Sequence, residues 1–326
     1  MRAISYTRVG PAREVLQTVE LPTPHPGPGE VRVRLMTSGV NPSDVKTRSG
    51  MRSKVLPFPR MVPHSDGAGV IDEIGNGVAP SRLGERVWIW NGCWGRADGT
   101  AAEFIVLPTA QAVPLPDTVD FAAGACLGIP ALTALHAVRM DGGVLGKNVL
   151  VPGGAGAVGH YAIQLAKHYG AAKVIATVSG PAKADLARAA GADEIINYRT
   201  EDVPARIRAL CDGVDRVLEV DLSTNITADH TVLKPEGDIV VYGSSKPDIS
   251  VPFAPSIIKN IRYRFFMVYH LTPGERTHAE SELGDLLRAG QLQHNIAARF
   301  ALADTVAAHE AVESGTLLGN VVIDLP

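Results

Sequence analysis

Residues 149–159 read VLVPGGAGAVG, a short apolar run that passes directly into a glycine-rich turn. Gly154, Gly156 and Gly159 fill the glycine positions of the pattern G-x-G-x-x-G. In dinucleotide-binding turns, one glycine makes the tight bend, one lets a pyrophosphate approach the backbone, and one permits close packing of helix on strand. A helix that begins near Val158 would direct its free amides and its positive dipole end at those phosphates.

The residues that follow the turn extend this pattern. Apolar side chains recur at helical spacing at Val158, Tyr161, Ala162, Leu165, Ala166 and Tyr169. Short apolar runs predict strands at 174–178, 194–198, 216–220 and 239–242. Strands that alternate with helices indicate βαβ units and a parallel sheet. The glycine pattern alone is weak, but the preceding strand and the following helix argue against a glycine loop without a ligand.

The flanks of this region differ in character. The first 110 or so residues are β-rich by their alternating pattern, and the tail combines helix candidates at 280–289 and 305–314 with a final strand at 320–325. We therefore predict an α/β protein in which residues 1–123 and 268–326 form one β-rich domain. Residues 124–267 are predicted to form a doubly wound parallel-sheet domain inserted into it.

Composition narrows the function classes. The chain has 326 residues, 45% of them hydrophobic, and a formal net charge of −3, so no global basic field indicates nucleic acid or an anionic membrane. The three cysteines, Cys93, Cys126 and Cys211, lie far apart and suit a reducing compartment. No stretch approaches the roughly 20 apolar residues of a membrane span, and no signal peptide is evident. We expect a cytoplasmic protein.

The end of the second predicted strand indicates which dinucleotide binds. Sites for NAD usually place an acid about 20 residues after the glycine pattern, where it binds the ribose hydroxyls. This chain has Ser179 and Gly180 there, and its next acid is Asp185. Ser179, Lys183 and Tyr198 could instead receive a 2′-phosphate, so we predict NADPH rather than NADH. The alternative for Lys183, a solvated helix lysine, stays open.

Short motifs along the whole chain resemble one superfamily. They are GVNPSD at 39–44, RSG at 48–50, DGAGV at 66–70, GIPALTA at 128–134, AIQLA at 162–166, GAD at 191–193, INYR at 196–199 and GNVV at 319–322. With the glycine turn, they make the sequence similar to the medium-chain dehydrogenases/reductases, and within them to the quinone oxidoreductase group that includes zeta-crystallin. The resemblance implies a GroES-like catalytic domain with an inserted Rossmann domain.

The resemblance also implies roles for individual residues. It places Asn41 and Thr133 near the nicotinamide, the pyrophosphate on Ala155, Gly156, Ala157 and Val158, and the 2′-phosphate among Ser179, Lys183 and Tyr198. The nicotinamide ribose and carboxamide would be lined by Tyr242, Gly243, Ser244, Phe266, Met267 and Val268. Asn320 falls where the family usually has a lysine near the cofactor.

The active-site loop contains the catalytic candidates Asn41, Asp44 and Lys46. Asp44 is the nearest candidate acid, although an Asp after Pro42 is more often a loop cap. Lys46 and Arg52 stand where the family often has aromatic residues, so the pocket would be more cationic and could favour anionic substrates. The alternative, that Lys46 points to solvent, stays open.

Zinc-dependent relatives hold their metal with a Cys, His/Glu and Cys set. This chain has Asn41, Ser65 and Gly128-Ile129 at those positions, so we predict no metal. Alcohol oxidation needs a Lewis acid to stabilise an alkoxide, whereas a quinone is already electrophilic and needs only to be positioned against the hydride. The resulting prediction is NADPH-dependent quinone reduction without a metal.

Two alternatives remain from the sequence. One is an NADPH-dependent reductase of enone or enal double bonds. The other, which the resemblance to a group that includes crystallins implies, is a cofactor-binding structural or RNA-binding protein. The basic cluster Lys259, Arg262 and Arg264 with its interleaved aromatic rings could serve RNA binding. The β-forming run 262–269 would pair edge to edge in the family's dimers, so we expect a homodimer or homotetramer.

Overall fold

The computed structural model describes residues 1–326, and the chain divides into two compact units. The first unit combines Met1–Ile129 with Glu280–Pro326, and the second is the continuous segment Pro130–Ala279 between them. A β-rich unit interrupted by a parallel-sheet unit is the arrangement expected from the sequence. The domain limits predicted at 123/124 and 267/268 stay a prediction.

The chain forms fifteen strands and eleven α-helices. The strands are β1 (Arg2–Ser5), β2 (Gln17–Glu20), β3 (Glu30–Val40), β4 (Asp66–Ile74), β5 (Arg86–Ile89), β6 (Phe104–Pro108), β7 (Ala112–Pro114), β8 (Asn148–Pro152), β9 (Lys173–Val178), β10 (Glu194–Asn197), β11 (Val214–Glu219), β12 (Leu233–Val241), β13 (Arg262–Phe265), β14 (Ile296–Ala301) and β15 (Asn320–Asp324). The helices are α1 (Ala12–Val15), α2 (Pro42–Arg48), α3 (Phe121–Gly124), α4 (Leu132–Arg139), α5 (Ala157–His168), α6 (Pro181–Ala189), α7 (Val203–Leu210), α8 (Leu222–Val232), α9 (Phe253–Ile258), α10 (Pro273–Arg288) and α11 (Thr305–Ser314).

The first unit is built around a seven-stranded sheet. Six strands follow the order β14-β15-β3-β4-β5-β7, and β6 pairs with β3. Along β3, Val31, Val33 and Leu35 are fully buried while Arg34 between them is exposed, as the alternation predicts. These three side chains belong to the apolar core of the unit.

The second unit contains a six-stranded parallel sheet in the order β10-β9-β8-β11-β12-β13. Its inner strands are apolar because helices cover both faces of such a sheet. The register pairs Pro152 with Thr177 and Val178 with Asn197. The carboxyl ends of β8, β9 and β10 therefore lie at one edge, where ligands bind in open parallel sheets.

Most predicted elements are present, with two corrections at their ends. The strand predicted over 262–269 stops at Phe265, because the backbone turns into a 3-10 helix at Val268–His270. The helix predicted at 280–289 begins at Pro273, where Glu275 accepts hydrogen bonds from the amide and hydroxyl of Thr272. None of the helices combines the length and apolar character that a bilayer span requires.

Candidate active site

The glycine turn after β8 is tightly packed against its neighbours. Gly153 has a φ of +69°, a left-handed conformation that favours glycine, and the Gly154 amide donates to the Thr177 carbonyl at 3.1 Å. A Cβ on Gly154 would lie 2.7 Å from the Ala176 Cβ. One on Gly159 would lie 2.3 Å from the Gly153 carbonyl oxygen. Both positions therefore exclude any side chain, as the sequence pattern predicts.

The first turn of α5 can accept an anion. Gly156 is the N-cap and has no side chain that could cap the helix, while its own amide donates to the Gly153 carbonyl at 2.8 Å. The amides of Ala157 and Val158 have no acceptor within the helix, because the first amides of a helix never do. Ala155, buried at the bend, completes the turn. The amides and the helix dipole fit a diphosphate.

The ends of β9 and β10 bring together the residues predicted for the 2′-phosphate. The Tyr198 amide donates to the Val178 carbonyl at 3.0 Å, so Tyr198 and Ser179 follow adjacent strand ends. Tyr198 is 51% exposed, and Lys183 is partly exposed on the first turn of α6 without an ion pair. The nearest acid along the chain, Asp185, pairs with Arg188 at 2.7 Å. This corner offers the Lys183 cation and the hydroxyl groups of Ser179 and Tyr198.

The residues predicted for the nicotinamide end in the second unit include an aromatic cluster. The Phe266 ring lies 4.8 Å from that of His136 and 6.4 Å from that of Tyr242, centroid to centroid. The Phe266 amide donates to the Val241 carbonyl at 3.2 Å. Thr133 is buried on the same helix as His136, three residues before it.

The other residues predicted to line the nicotinamide ribose and carboxamide are held by packing or hydrogen bonds. Gly243 lies against the backbone, since a Cβ there would be 2.1 Å from the Val220 carbonyl oxygen. Ser244 donates its hydroxyl to the Lys246 carbonyl at 2.7 Å. Met267 is half-buried and Val268 is buried. Sequence reasoning missed His136, whose helical spacing from Thr133 was the available signal; burial lowers its pKa.

In the first unit, the residues compared with zinc ligands converge on a carboxylate. The Asn41 Nδ2 donates to Asp66 Oδ2 at 2.9 Å, and the Ile129 amide donates to the same oxygen at 3.0 Å. Asn41 and Asp66 are both buried. Asp66, which the sequence analysis did not assign, therefore fixes the orientation of the Asn41 amide. No three His, Cys, Asp or Glu side chains are arranged to hold a metal ion.

Asn320 and Lys46 are two further predicted residues of this unit. Asn320 is buried, and its Nδ2 donates to the Asn295 carbonyl at 3.1 Å, so this group braces β15 where the family usually has a lysine. Lys46 lies on α2 and is partly exposed. The structure leaves the cofactor role of Asn320 and the catalytic role of Lys46 as predictions.

Asp44 occupies the third position of α2 and braces the loop before it. One of its carboxylate oxygens accepts the Asn41 backbone amide at 2.8 Å, which is the capping role considered for this residue. Asp44 is buried, and this burial raises its pKa to about 7, although Asn41, Arg52 and the Ser65 amide favour the charged form. A proton thus stays on Asp44 to near neutrality.

The raised pKa of Asp44 makes stability depend on pH. Between the ordinary value of 3.8 and the folded value of about 7, the folded chain binds this proton and the unfolded chain does not. The free energy of unfolding therefore falls as pH rises through this window. Asp44→Asn removes the titration but keeps an acceptor, so its melting temperature relative to the wild type should increase from pH 5 to pH 8. A difference that stays constant over this range in thermal melts, with Asp98→Asn as the exposed control, would refute this assignment.

Comparisons with known proteins agree with this geometry. A family model described as zinc-binding dehydrogenase matches residues 157–286, and one described as alcohol dehydrogenase GroES-like domain matches residues 27–117. A quinone oxidoreductase from Pseudomonas aeruginosa is 32% identical, over 95% of each chain. The structure of Escherichia coli quinone oxidoreductase complexed with NADPH is similar, with a TM-score of 0.88, 27% identity, and coverage of 99% of this chain and 100% of that one.

A solved NAD-dependent alcohol dehydrogenase is also similar, with a TM-score of 0.89, 31% identity and full coverage of both chains. These matches extend over both units, and they confirm the predicted α/β fold of a GroES-like domain and a Rossmann-like domain. The chain is thus an oxidoreductase of the medium-chain dehydrogenase/reductase superfamily and belongs to its quinone oxidoreductase family.

Proposed function

We propose that this protein catalyses the NADPH-dependent reduction of quinones without a metal ion. The observation that carries the proposal is the shared edge of β8, β9 and β10. There a glycine turn with an uncapped helix N-terminus lies beside the end of β9, where Ser179 and Gly180 stand in place of an acid and Lys183 and Tyr198 are the neighbouring polar residues. An acid at this corner would repel a 2′-phosphate, whereas a lysine attracts it. When bound, NADPH supplies a hydride from its nicotinamide C4.

The chain's own residues position the reactants. Asp66 fixes the Asn41 side-chain amide, and Asp44 fixes the Asn41 backbone amide. Asn41, Asp44 and Lys46 are the proposed catalytic group: Asn41 orients the nicotinamide end, Asp44 retains a proton up to about pH 7, and Lys46 favours anionic substrates. A quinone is electrophilic, so positioning and exclusion of water supply most of what the reaction needs, and protons can follow from solvent.

The choice of cofactor is tested at Lys183. Lys183→Ala removes the cation on the first turn of α6, so the KM for NADPH should rise roughly ten- to hundred-fold, as expected for a charge-assisted hydrogen bond. The KM for NADH, which has no 2′-phosphate, should stay within about two-fold. Arg188→Ala removes an exposed cation of the same helix that already pairs with Asp185, and it is the matched control. Equal changes in the KM values for NADPH and NADH would show that Lys183 does not bind the 2′-phosphate.

The acceptor is tested by measuring NADPH oxidation with a 1,4-quinone, a 2-alkenal and a simple ketone. We expect the quinone to be reduced fastest. Faster reduction of the alkenal would support the alternative function, reduction of enone or enal double bonds. Turnover of the ketone alone would contradict both.

The structure weakens the support for an RNA-binding role. Lys259 Nζ donates to the carbonyls of His230 and Leu233 at 2.7 and 2.6 Å. Arg262 donates to the Glu236 carbonyl, and Arg264 pairs with Asp141 at 3.0 Å. The cations proposed for a phosphate backbone therefore have partners within their own unit.

We further propose that the protein is a homodimer or homotetramer in the cytoplasm. Strand β13 is the outer strand of the six-stranded sheet, and the neighbouring helix α9 exposes Phe253 and Ile258 to 76% and 79%. An uncovered strand edge beside apolar side chains favours association with a second copy. A monomeric mass in light scattering at micromolar concentration would contradict the oligomer.

The proposed location in the cytoplasm is supported by the three free thiols, which suit a reducing compartment.

A further inference from the structure

Two buried carboxyl groups face each other behind the ligand-binding edge of the second unit. Glu219 ends β11, and Asp229 lies on α8; both are essentially inaccessible to solvent. The two carboxyl groups lie within interaction distance of each other. Apart from this mutual contact, Glu219 Oε2 and Asp229 Oδ2 have no hydrogen-bond partner. Two carboxylates repel each other and cannot donate a hydrogen bond, so one shared proton would satisfy both of these oxygens.

The other oxygen of Glu219 anchors the loop that follows β11. Glu219 Oε1 accepts the backbone amide of Asp221 and, at 3.0 Å, the side-chain amide of Asn225. Asp221 in turn accepts the hydroxyl of Ser223 at 2.6 Å and the amide of Ser245 at 2.8 Å. The anchor thus extends from β11 to the loop after β12.

This pair of loops borders the glycine turn and contains predicted cofactor residues. The Tyr242 amide donates to the Glu219 carbonyl at 3.1 Å, and Gly243 lies against the Val220 backbone. On its other side, the Val220 Cγ1 lies 3.4 Å from the position of a Cβ on Gly153. Glu219 is therefore one residue away from the contact that joins the glycine turn to the 242–245 loop.

We propose that Glu219 and Asp229 are positioning residues that share one proton and thereby hold the 220–222 and 242–245 loops in the geometry that binds the dinucleotide. This inference rests on the proposed function, since it concerns the same cofactor edge. With the proton in place, Asp229 donates to Glu219 and the buried pair carries a single negative charge. Loss of the proton would place two like charges in contact and remove the hydrogen bond that orients Glu219.

The surroundings of the pair favour retention of the proton. Burial and the mutual repulsion of the pair raise the pKa of Asp229 well above its ordinary range, and burial raises that of Glu219. The titratable groups that face the pair are Asp221 in the loop, Tyr242 at the end of β12 and Tyr263 on β13, which contacts His230 of α8. A bound diphosphate would add negative charge at this edge, so binding and protonation should favour each other.

The test measures NADPH binding by fluorescence titration without an acceptor, from pH 6.5 to 10. Wild-type affinity should fall in the alkaline part of this range. Asp229→Asn keeps a donor to Glu219 but has no proton to lose, so it should bind as tightly as the wild type at pH 7 and lose less affinity at high pH. Asp229→Ala removes the donor, and its Kd at pH 7 should rise about ten-fold, the equivalent of one charged hydrogen bond. Thr231→Ala, on the exposed side of the same helix, is the control.

The outcomes separate this inference from the proposed function. Wild-type protein that binds no NADPH at any pH would overturn the proposed function. Wild-type protein that binds NADPH while Asp229→Asn keeps the wild-type pH profile would overturn the positioning role alone. Should Asp229→Ala fail to fold, the comparison of the asparagine variant with the wild type still decides the question.

Discussion

Gly159→Ala should abolish tight binding of NADPH while the protein remains folded. The new Cβ would lie 2.3 Å from the Gly153 carbonyl oxygen and 3.0 Å from the Gly154 Cα, both backbone atoms that cannot rotate away. The first turn of α5 must therefore move away from the glycine turn, and its amides move with it. A hydrogen bond to a charged group contributes about 1.5–3 kcal/mol, so the loss of one amide contact with the pyrophosphate should raise the Kd roughly 10- to 100-fold.

The helix itself should not be weakened by this substitution. Alanine stabilises a helix interior by about 1 kcal/mol relative to glycine, so propensity and packing act in opposite directions at Gly159. Gly274→Ala is the matched control, because a Cβ there has no heavy atom within 4 Å and the residue also lies on a helix. Isothermal titration measures the Kd for NADPH, and circular dichroism during thermal unfolding measures the stability of the folded variant. An unchanged Kd for the Gly159 variant would show that the turn is not the phosphate site.

Arg216→Met should lower the free energy of unfolding by about 3–5 kcal/mol, as expected when one partner of a buried ion pair is removed. The Arg216 side chain has no exposed surface and binds Asp238 through two hydrogen bonds of 2.6 and 2.8 Å. It also donates to the Met140 carbonyl at 2.9 Å, just after the end of α4. Methionine keeps much of the volume but leaves Asp238 buried without these hydrogen bonds. Lys147 and Arg262, at 3.9 and 3.7 Å, are too distant to replace them.

An exposed pair of the same geometry provides the control. Arg299 binds Asp324 through two hydrogen bonds of 2.9 and 2.8 Å, but the side chains are 56% and 40% exposed. Arg299→Met should therefore change stability by less than about 1 kcal/mol, as is usual for solvent-screened pairs. Urea unfolding followed by circular dichroism compares the two variants. If the two variants lose similar amounts of unfolding free energy, burial does not govern the contribution of Arg216 to stability.

The sequence predicted the parallel sheet well because its signals are local. The glycine turn, Pro181 at the start of α6 and the apolar strands each restrict the backbone near their own position. The end of β13 and the start of α10 were predicted less well. Residues 267–269 have the composition of a strand, but they have left the sheet, and Val268 and Tyr269 are buried in a 3-10 turn instead. Tertiary packing decided their conformation over β propensity.

The candidate site shows the same division. The glycine turn and the lack of an acid directly after β9 could be predicted from the sequence, because each depends on the residue type at a single position. Asp66 and the Glu219–Asp229 pair could not, because their roles depend on partners far along the chain: Asp66 receives hydrogen bonds from Asn41 and Ile129. Asn320 was predicted to lie near the cofactor, but its side-chain amide binds the Asn295 carbonyl. The sequence pattern did not reveal this partner.

The interrupted arrangement of the first unit has a consequence for biosynthesis. Its central strand β3 pairs with β15, and Gly39 lies opposite Val322. This pairing cannot form until the C-terminal strand has been synthesised, whereas the second unit is one continuous segment. Because domains fold as units while the ribosome elongates the chain from its N-terminus, the parallel-sheet unit can finish folding before the earlier-made sheet receives its last strand. Nascent chains from which residues 1–279 have emerged would then hold a complete nucleotide fold and a sheet that still lacks β14 and β15, and the uncovered edge of that sheet could pair with other chains.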